Sequence, residues 1–137
     1  MDFKFDVEGG NFTKAGYASS EVKKILKQLN VDPRITKRIV VALFEGEVNV
    51  VAHAHHGRIT INIDTQKIEI CIEDEGPGIP DIDMAMKEGY STASSKVREM
   101  GFGAGMGLSN MKRNADELVI TSTVGKGTTV TMTTYLT

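Results

Sequence analysis

Glu45 and Asn49 stand four residues apart in the run Glu45-Gly46-Glu47-Val48-Asn49. On a helix that spacing puts a carboxylate and a carboxamide on one face, about one turn apart, so both can serve a single site. A carboxylate so placed can act as a base toward a hydroxyl or water attacking a γ-phosphate. The amide oxygen can complete the octahedral shell of a magnesium ion whose remaining ligands are phosphate and water oxygens. An isolated pair of this kind also reads as two polar groups on the solvated side of a helix, so it carries weight only in company.

Two glycine-bearing stretches supply that company. Asp74-Glu75-Gly76-Pro77-Gly78 follows directly on an alternating apolar strand. Its carboxylate suits the exocyclic amine that distinguishes adenine, while Gly76 and Gly78 let the backbone come close to a base; an ordinary Gly-Pro turn capped by Asp is the other reading. Gly101-Phe102-Gly103-Ala104-Gly105-Met106-Gly107 places four glycines at alternate positions and leads straight into a helix. Such a loop can wrap its N–H groups around phosphates, with the positive end of the helix behind it, although a flexible linker has a similar composition. Other nucleotide motifs fit badly: Gly125-Lys126-Gly127 is not part of a G-x-x-x-x-G-K-[ST] string, and no H-R-D or D-F-G element occurs.

The elements that must position these groups are written in two periodicities. Phe3, Phe5 and Val7 alternate with polar residues as a half-buried strand, and Ala18, Val22, Ile25, Leu26 and Leu29 recur as a helix ending near Asn30. Asp32-Pro33 starts a second helix, which carries Glu45 and Asn49 and is expected to run to about His56, where Gly57 stops it. His55 and His56 then read as exposed groups at that helix end. Ile59, Ile61 and Ile63, then Ile68, Ile70 and Ile72, predict a hairpin with one apolar face. A short helix is expected over Ile82 to Lys87 and a third main helix through Leu108, Met111, Ala115 and Leu118. Strands near Leu118 to Thr123 and Thr128 to Leu136 close the chain, giving a two-layer α/β sandwich with helices on one side of the sheet.

Composition narrows the function classes. With 137 residues, 40% hydrophobic and 25% charged, the chain suits one globular domain over 1–137. A formal net charge of -2 argues against nucleic acid as a partner. The single Cys71 allows no internal disulfide or zinc site, and no run of 18 apolar residues suggests a membrane span, so a cytoplasmic protein is expected. Cys71, between Glu69 and Glu73, reads as a structural or interface residue, and the polar sheet face is available either to solvent or to a homodimer.

Taken in order, Glu45-x-x-x-Asn49, Asp74-x-Gly76-x-Gly78, the glycine run to Gly107 and Gly127-Thr128 resemble the sequence boxes of the GHKL ATPase superfamily. The chain is similar, over nearly its whole length, to small bacterial serine/threonine protein kinases and anti-sigma regulatory factors of the RsbT, RsbW and SpoIIAB type. Through Asp74 to Ile82, Glu88-Gly89-Tyr90-Ser91-Thr92 and Gly105-Met106-Gly107-Leu108, it most resembles RsbT-like switch kinases. That resemblance implies the Bergerat ATP-binding fold, an α+β sandwich with a mixed, mostly antiparallel sheet. It implies ATP (or ADP) and Mg2+, with Asn49 as metal ligand and Glu45 activating a serine or threonine hydroxyl of a protein. Asp74 would hold the adenine amine, Thr128 would assist through a water, and Gly76 and Gly78 would line the base pocket. Gly101, Gly103, Gly105, Gly107 and Leu108 would belong to a lid over the phosphates.

The implied substrate is a STAS-domain antagonist of the anti-anti-sigma type, with a sigma factor or phosphatase as a further partner. An ATP-gated anti-sigma or adaptor module with little or no phosphoryl transfer remains the alternative. Two departures bear on the choice. Many relatives carry Lys or Arg three residues after the asparagine, where this chain has Ala52, followed by His53, which is available to the nucleotide or to packing. Lys96 or Arg98, ahead of the glycine run, could supply that cation or lie on a solvated lid helix.

Overall fold

Alternation of apolar and polar residues becomes five strands. The computed structural model describes residues 1–86 and 107–136. Strand β1 (Asp2–Glu8) pairs with β2 (His56–Ile63), β2 with β3 (Lys67–Glu75), β3 with β5 (Gly127–Tyr135), and β5 with β4 (Glu117–Thr123). The sheet order is β1-β2-β3-β5-β4, and every pairing is antiparallel, so the mixed component expected of the sheet is not found among the described residues. In the central hairpin Ile59 faces Ile72, Ile61 faces Ile70 and Ile63 faces Ile68, and all six are buried. Each fully buried isoleucine contributes roughly 1.5–3 kcal/mol, and a one-residue slip of either strand would turn its three isoleucines to the polar face, so burial fixes both the register and the covered face.

Helices α1 (Tyr17–Gln28), α2 (Pro33–His53) and α4 (Gly107–Asn114) cover that face. Helix α2 begins where Asp32 accepts the Arg34 N–H at 2.8 Å and Pro33 occupies the first turn. Ile39, Leu43 and Val50 of α2, Val22 and Leu26 of α1, and Met111 of α4 interlock with the isoleucines in one core. A short helix α3 (Ile82–Ala85) is capped by Asp81, whose side chain accepts the Met84 N–H.

Two helix ends differ from the sequence expectation. Helix α2 stops at His53, and Gly57 lies inside β2 rather than ending the helix. The His55 N–H donates to the Glu75 carbonyl at 2.8 Å, so strand pairing captures this segment before another helical turn can form. Gly57 is required there because a Cβ would stand 2.6 Å from Val50 Cγ1 under the helix. Exposed His56 is consequently a strand residue, 3.7 Å from Asp6 Oδ1. At the other end α4 terminates at Asn114, and Leu118 faces Met132 in the sheet instead of extending the helix. The Asp116 N–H, bonded to the Thr133 carbonyl at 2.9 Å, commits the chain to strand two residues earlier.

Candidate functional site

Helix α2 is apolar on its sheet-facing side and carries the candidate site along its flank. Glu45 and Asn49 are partly buried on it, and α4 packs antiparallel beside them. The Asn110 amide Nδ2 donates to Glu45 Oε1 at 3.1 Å. One turn further along α2, Gly107 sits so close to Asn49 that a Cβ there would stand 3.2 Å from the Asn49 Oδ1. The first residue of α4 thus rests on the asparagine and the fourth on the glutamate.

Past Asn49 the helix end meets the turn after β3. A Cβ on Gly76 would lie 3.1 Å from Ala54 Cα, so the turn is laid flat against the helix terminus. The Gly76 N–H donates to the Lys126 carbonyl, and the Gly125 N–H to the Pro77 carbonyl at 2.8 Å, stitching this turn to the one between β4 and β5. Gly78 has φ +77, and a Cβ on it would stand 2.5 Å from the Thr123 carbonyl oxygen, so both its conformation and its neighbour demand glycine.

Asp74, half-buried at this shelf, accepts the Thr128 N–H on Oδ1 at 3.0 Å. Burial pushes its carboxyl above the usual aspartate range, against the lowering effect of the Thr128 N–H. Among the described residues no other donor reaches this carboxylate, which leaves Oδ2 able to accept from a ligand. Buried Thr128 shares a 2.9 Å hydrogen bond with Ser122 Oγ, which also accepts the Ile79 N–H at 2.7 Å and donates to the Gly127 carbonyl at 3.1 Å. Since the one Ser122 proton goes to Gly127, Thr128 is the donor of the pair, and its own oxygen can accept from a water.

His53 is half-buried, and burial holds its imidazole below the usual histidine value, which disfavours its charged form. Leu108 is buried in the core, so its side chain is committed to packing. Gly101, Gly103, Gly105, Lys96 and Arg98 lie outside the described residues. Among the described residues no three His, Cys, Asp or Glu side chains form a metal cage. A lone amide oxygen at Asn49 suits a magnesium ion held mainly by phosphate and water oxygens.

Cys71 lies on the outer sheet face, where burial, then the Glu73 and Glu69 charges, raise its thiol above the ordinary value. That environment disfavours a reactive thiolate.

The sequence reading leaves out Glu47. Its side chain is buried, and its carboxylate accepts the Ala18 N–H at 3.1 Å, the Ser19 N–H at 3.2 Å and the Ser19 hydroxyl at 2.8 Å. It caps the first turn of α1 from across the helix pair, so it holds α1 on α2. The available signal was its place on the face that also carries Leu43 and Val50, where a carboxylate requires partners.

A one-sided antiparallel sandwich, with a helix bearing an acid and an asparagine beside an aspartate-glycine shelf, defines a nucleotide-binding domain of the GHKL class. The chain belongs to the histidine kinase-, DNA gyrase B- and HSP90-like ATPase family, whose model matches residues 31–137. It is 37% identical over 143 aligned positions to an anti-sigma F factor of Caldanaerobacter subterraneus subsp. tengcongensis, covering 99% of this chain and 93% of that protein. It is 35% identical over 112 positions to the serine/threonine-protein kinase RsbT of Bacillus subtilis, covering 79% of this chain and 78% of that one. Among solved structures it is similar to the RsbU and RsbW domains of a Mycobacterium tuberculosis protein, with TM-score 0.65 and 15% identity, over 99% of this chain and 32% of that one. At that identity the likeness concerns the fold alone.

Proposed function

We propose that this chain is an Mg-ATP-dependent protein serine/threonine kinase that phosphorylates a STAS-domain antagonist and thereby acts as a regulatory switch. The observation that carries this reading is the order of groups along α2. From Ala54, against which the Asp74–Gly78 shelf rests, the helix runs back through Asn49 to Glu45. At 1.5 Å per residue these positions span about 13 Å. Their order is that of adenine, metal-bound phosphates and acceptor hydroxyl in an in-line phosphoryl transfer.

In this reading Asp74 Oδ2 accepts from the adenine amine, and Thr128 orders a water beside it. The Asn49 oxygen would hold Mg2+, which supplies charge neutralisation at the phosphates when bound. Glu45 takes the proton of a serine or threonine hydroxyl as that oxygen bonds to the γ-phosphorus. The β–γ bridging P–O bond breaks, and ADP departs with the electron pair. Glu45 also lines a cleft of about 1150 Å³ between α1 and α2, bordered by Tyr17 and Phe44, which offers a protein loop room beside the carboxylate. The relative named serine/threonine-protein kinase RsbT supports the transfer activity.

A second reading, an ATP-gated anti-sigma or adaptor module without transfer, is favoured by the relative named anti-sigma F factor. Label transfer separates the two. The protein is incubated with magnesium, γ-labelled ATP and each STAS-domain protein of the source genome in turn, as wild type and as Glu45→Gln. Kinase activity predicts labelling of one such protein, reduced about 10²–10⁴-fold in the variant. ATP-dependent complex formation with no label in any of them would establish the binding module instead.

A further inference from the structure

We infer that Asn110 is a positioning residue for phosphoryl transfer: its amide N–H orients the Glu45 carboxylate toward the acceptor hydroxyl, an assignment that rests on the reading of Glu45 as base. Asn110 Nδ2 donates to Glu45 Oε1 at 3.1 Å in a partly buried setting. The direction of the amide is set on its other side, where Arg113 Nη2 donates to Asn110 Oδ1 at 2.8 Å. A guanidinium can only donate, so it pins the amide oxygen toward itself and turns the NH2 group toward the glutamate. With Oε1 so engaged, Oε2 is the oxygen left to take a proton, since no donor among the described residues reaches it.

A glutamate has three side-chain torsions, the last of them broad, so a carboxylate on a helix flank samples many orientations unless something holds it. A bond to one oxygen removes much of that freedom before substrate arrives, and misplacement of a base by about 1 Å can lower the rate on the order of 10²-fold. The bond also ties the base to α4. Gly107, three residues earlier on α4, abuts Asn49, so one short helix sets both the base and the amide at the phosphate end of the site.

Asn110→Asp is the decisive variant. It is nearly isosteric and keeps an acceptor for Arg113, but it removes the donor facing Glu45 and sets a second carboxylate against it. Transfer of label from γ-labelled ATP to the accepting STAS-domain protein is measured together with KM for ATP and the urea midpoint. The expected result is a fall in kcat of at least about tenfold with KM for ATP and the midpoint unchanged. Asn110→Gln, which retains an amide donor, recovers part of the rate. Wild-type kcat in Asn110→Asp, with Glu45→Gln inactive, overturns the role of Asn110 and leaves the kinase reading standing. A loss that only tracks weakened ATP binding or unfolding makes Asn110 structural and also overturns it. If wild type labels no STAS-domain protein, the kinase reading fails and the positioning role fails with it.

Discussion

Glu45 and Glu47 lie two residues apart on one helix and point to different environments, so the same substitution should separate stability from chemistry. Glu47 is 2% exposed, and its two oxygens accept three hydrogen bonds from the first turn of α1. In Glu47→Gln one oxygen can still serve the Ser19 N–H and hydroxyl. The other becomes an NH2 group facing the Ala18 N–H, which loses its acceptor 3.1 Å away. The change removes a charge-assisted bond, strands a buried donor and discharges the group at the α1 N-terminus, for a combined loss of about 2–4 kcal/mol. For a chain of this length that lowers Tm by roughly 6–12 °C. Urea and thermal unfolding followed by circular dichroism provide the measurement, with Glu45→Gln as the control expected to stay near wild type. A Glu47→Gln protein within about 0.5 kcal/mol of wild type would refute the claim that this carboxylate holds α1 on α2.

Asp74 and Gly127 carry the remaining predictions. Burial raises the Asp74 carboxyl, so the folded state binds its proton more tightly than the unfolded chain does; stability is present at low pH and is lost as pH rises from about 4 through the raised folded value. Nucleotide-free Asp74→Asn, which keeps the acceptor for Thr128, should therefore match or exceed wild-type Tm at pH 7, converge with it near pH 4, and lose the Tm increase produced by ATP. A variant less stable than wild type at pH 7, or one still stabilised by ATP, contradicts that account. Gly127→Ala would drive a Cβ into the Asp74 carbonyl and part β5 from the shelf. Calorimetry should show at least about tenfold weaker ATP binding, corresponding to about 1.4 kcal/mol, and unchanged affinity would refute the dependence of the Asp74 shelf on its close contact with β5.

Strand pattern and turn chemistry made much of this molecule legible. Six isoleucines at period two specified the hairpin and its covered face, and Asp32-Pro33 marked the start of α2, because each signal is local. The helix ends were not local. Helical spacing continues through His55 and His56, but the backbone of that segment is claimed by Glu75, a residue 20 positions away from His55. Likewise Leu118 satisfies the period of α4 and the alternation of β4 equally, and pairing with Met132 decides between them. Glu47 and Asn110 were missed for a related reason. Each acts through a partner on another helix, Ala18 and Ser19 for one and Glu45 for the other; spacing on α2 marks Glu47 as a buried carboxylate but names no partner, and nothing within α4 marks Asn110.

Those two missed residues explain how one helix can serve both core and site. The buried side of α2 is locked by Ile39, Leu43 and Val50 and by the Glu47 tie to α1, so Glu45 and Asn49 cannot shift relative to the Asp74 shelf without repacking the core. Cores of this density resist such displacement, which makes the α2 groups a fixed reference for a ligand. Helix α4 meets that reference through Gly107 on Asn49 and the Asn110 amide on Glu45, while Leu108 and Met111 seat it in the same core. The two helices that carry the site therefore share one packed core, and a ligand state that displaced α4 would have to break both contacts and that packing.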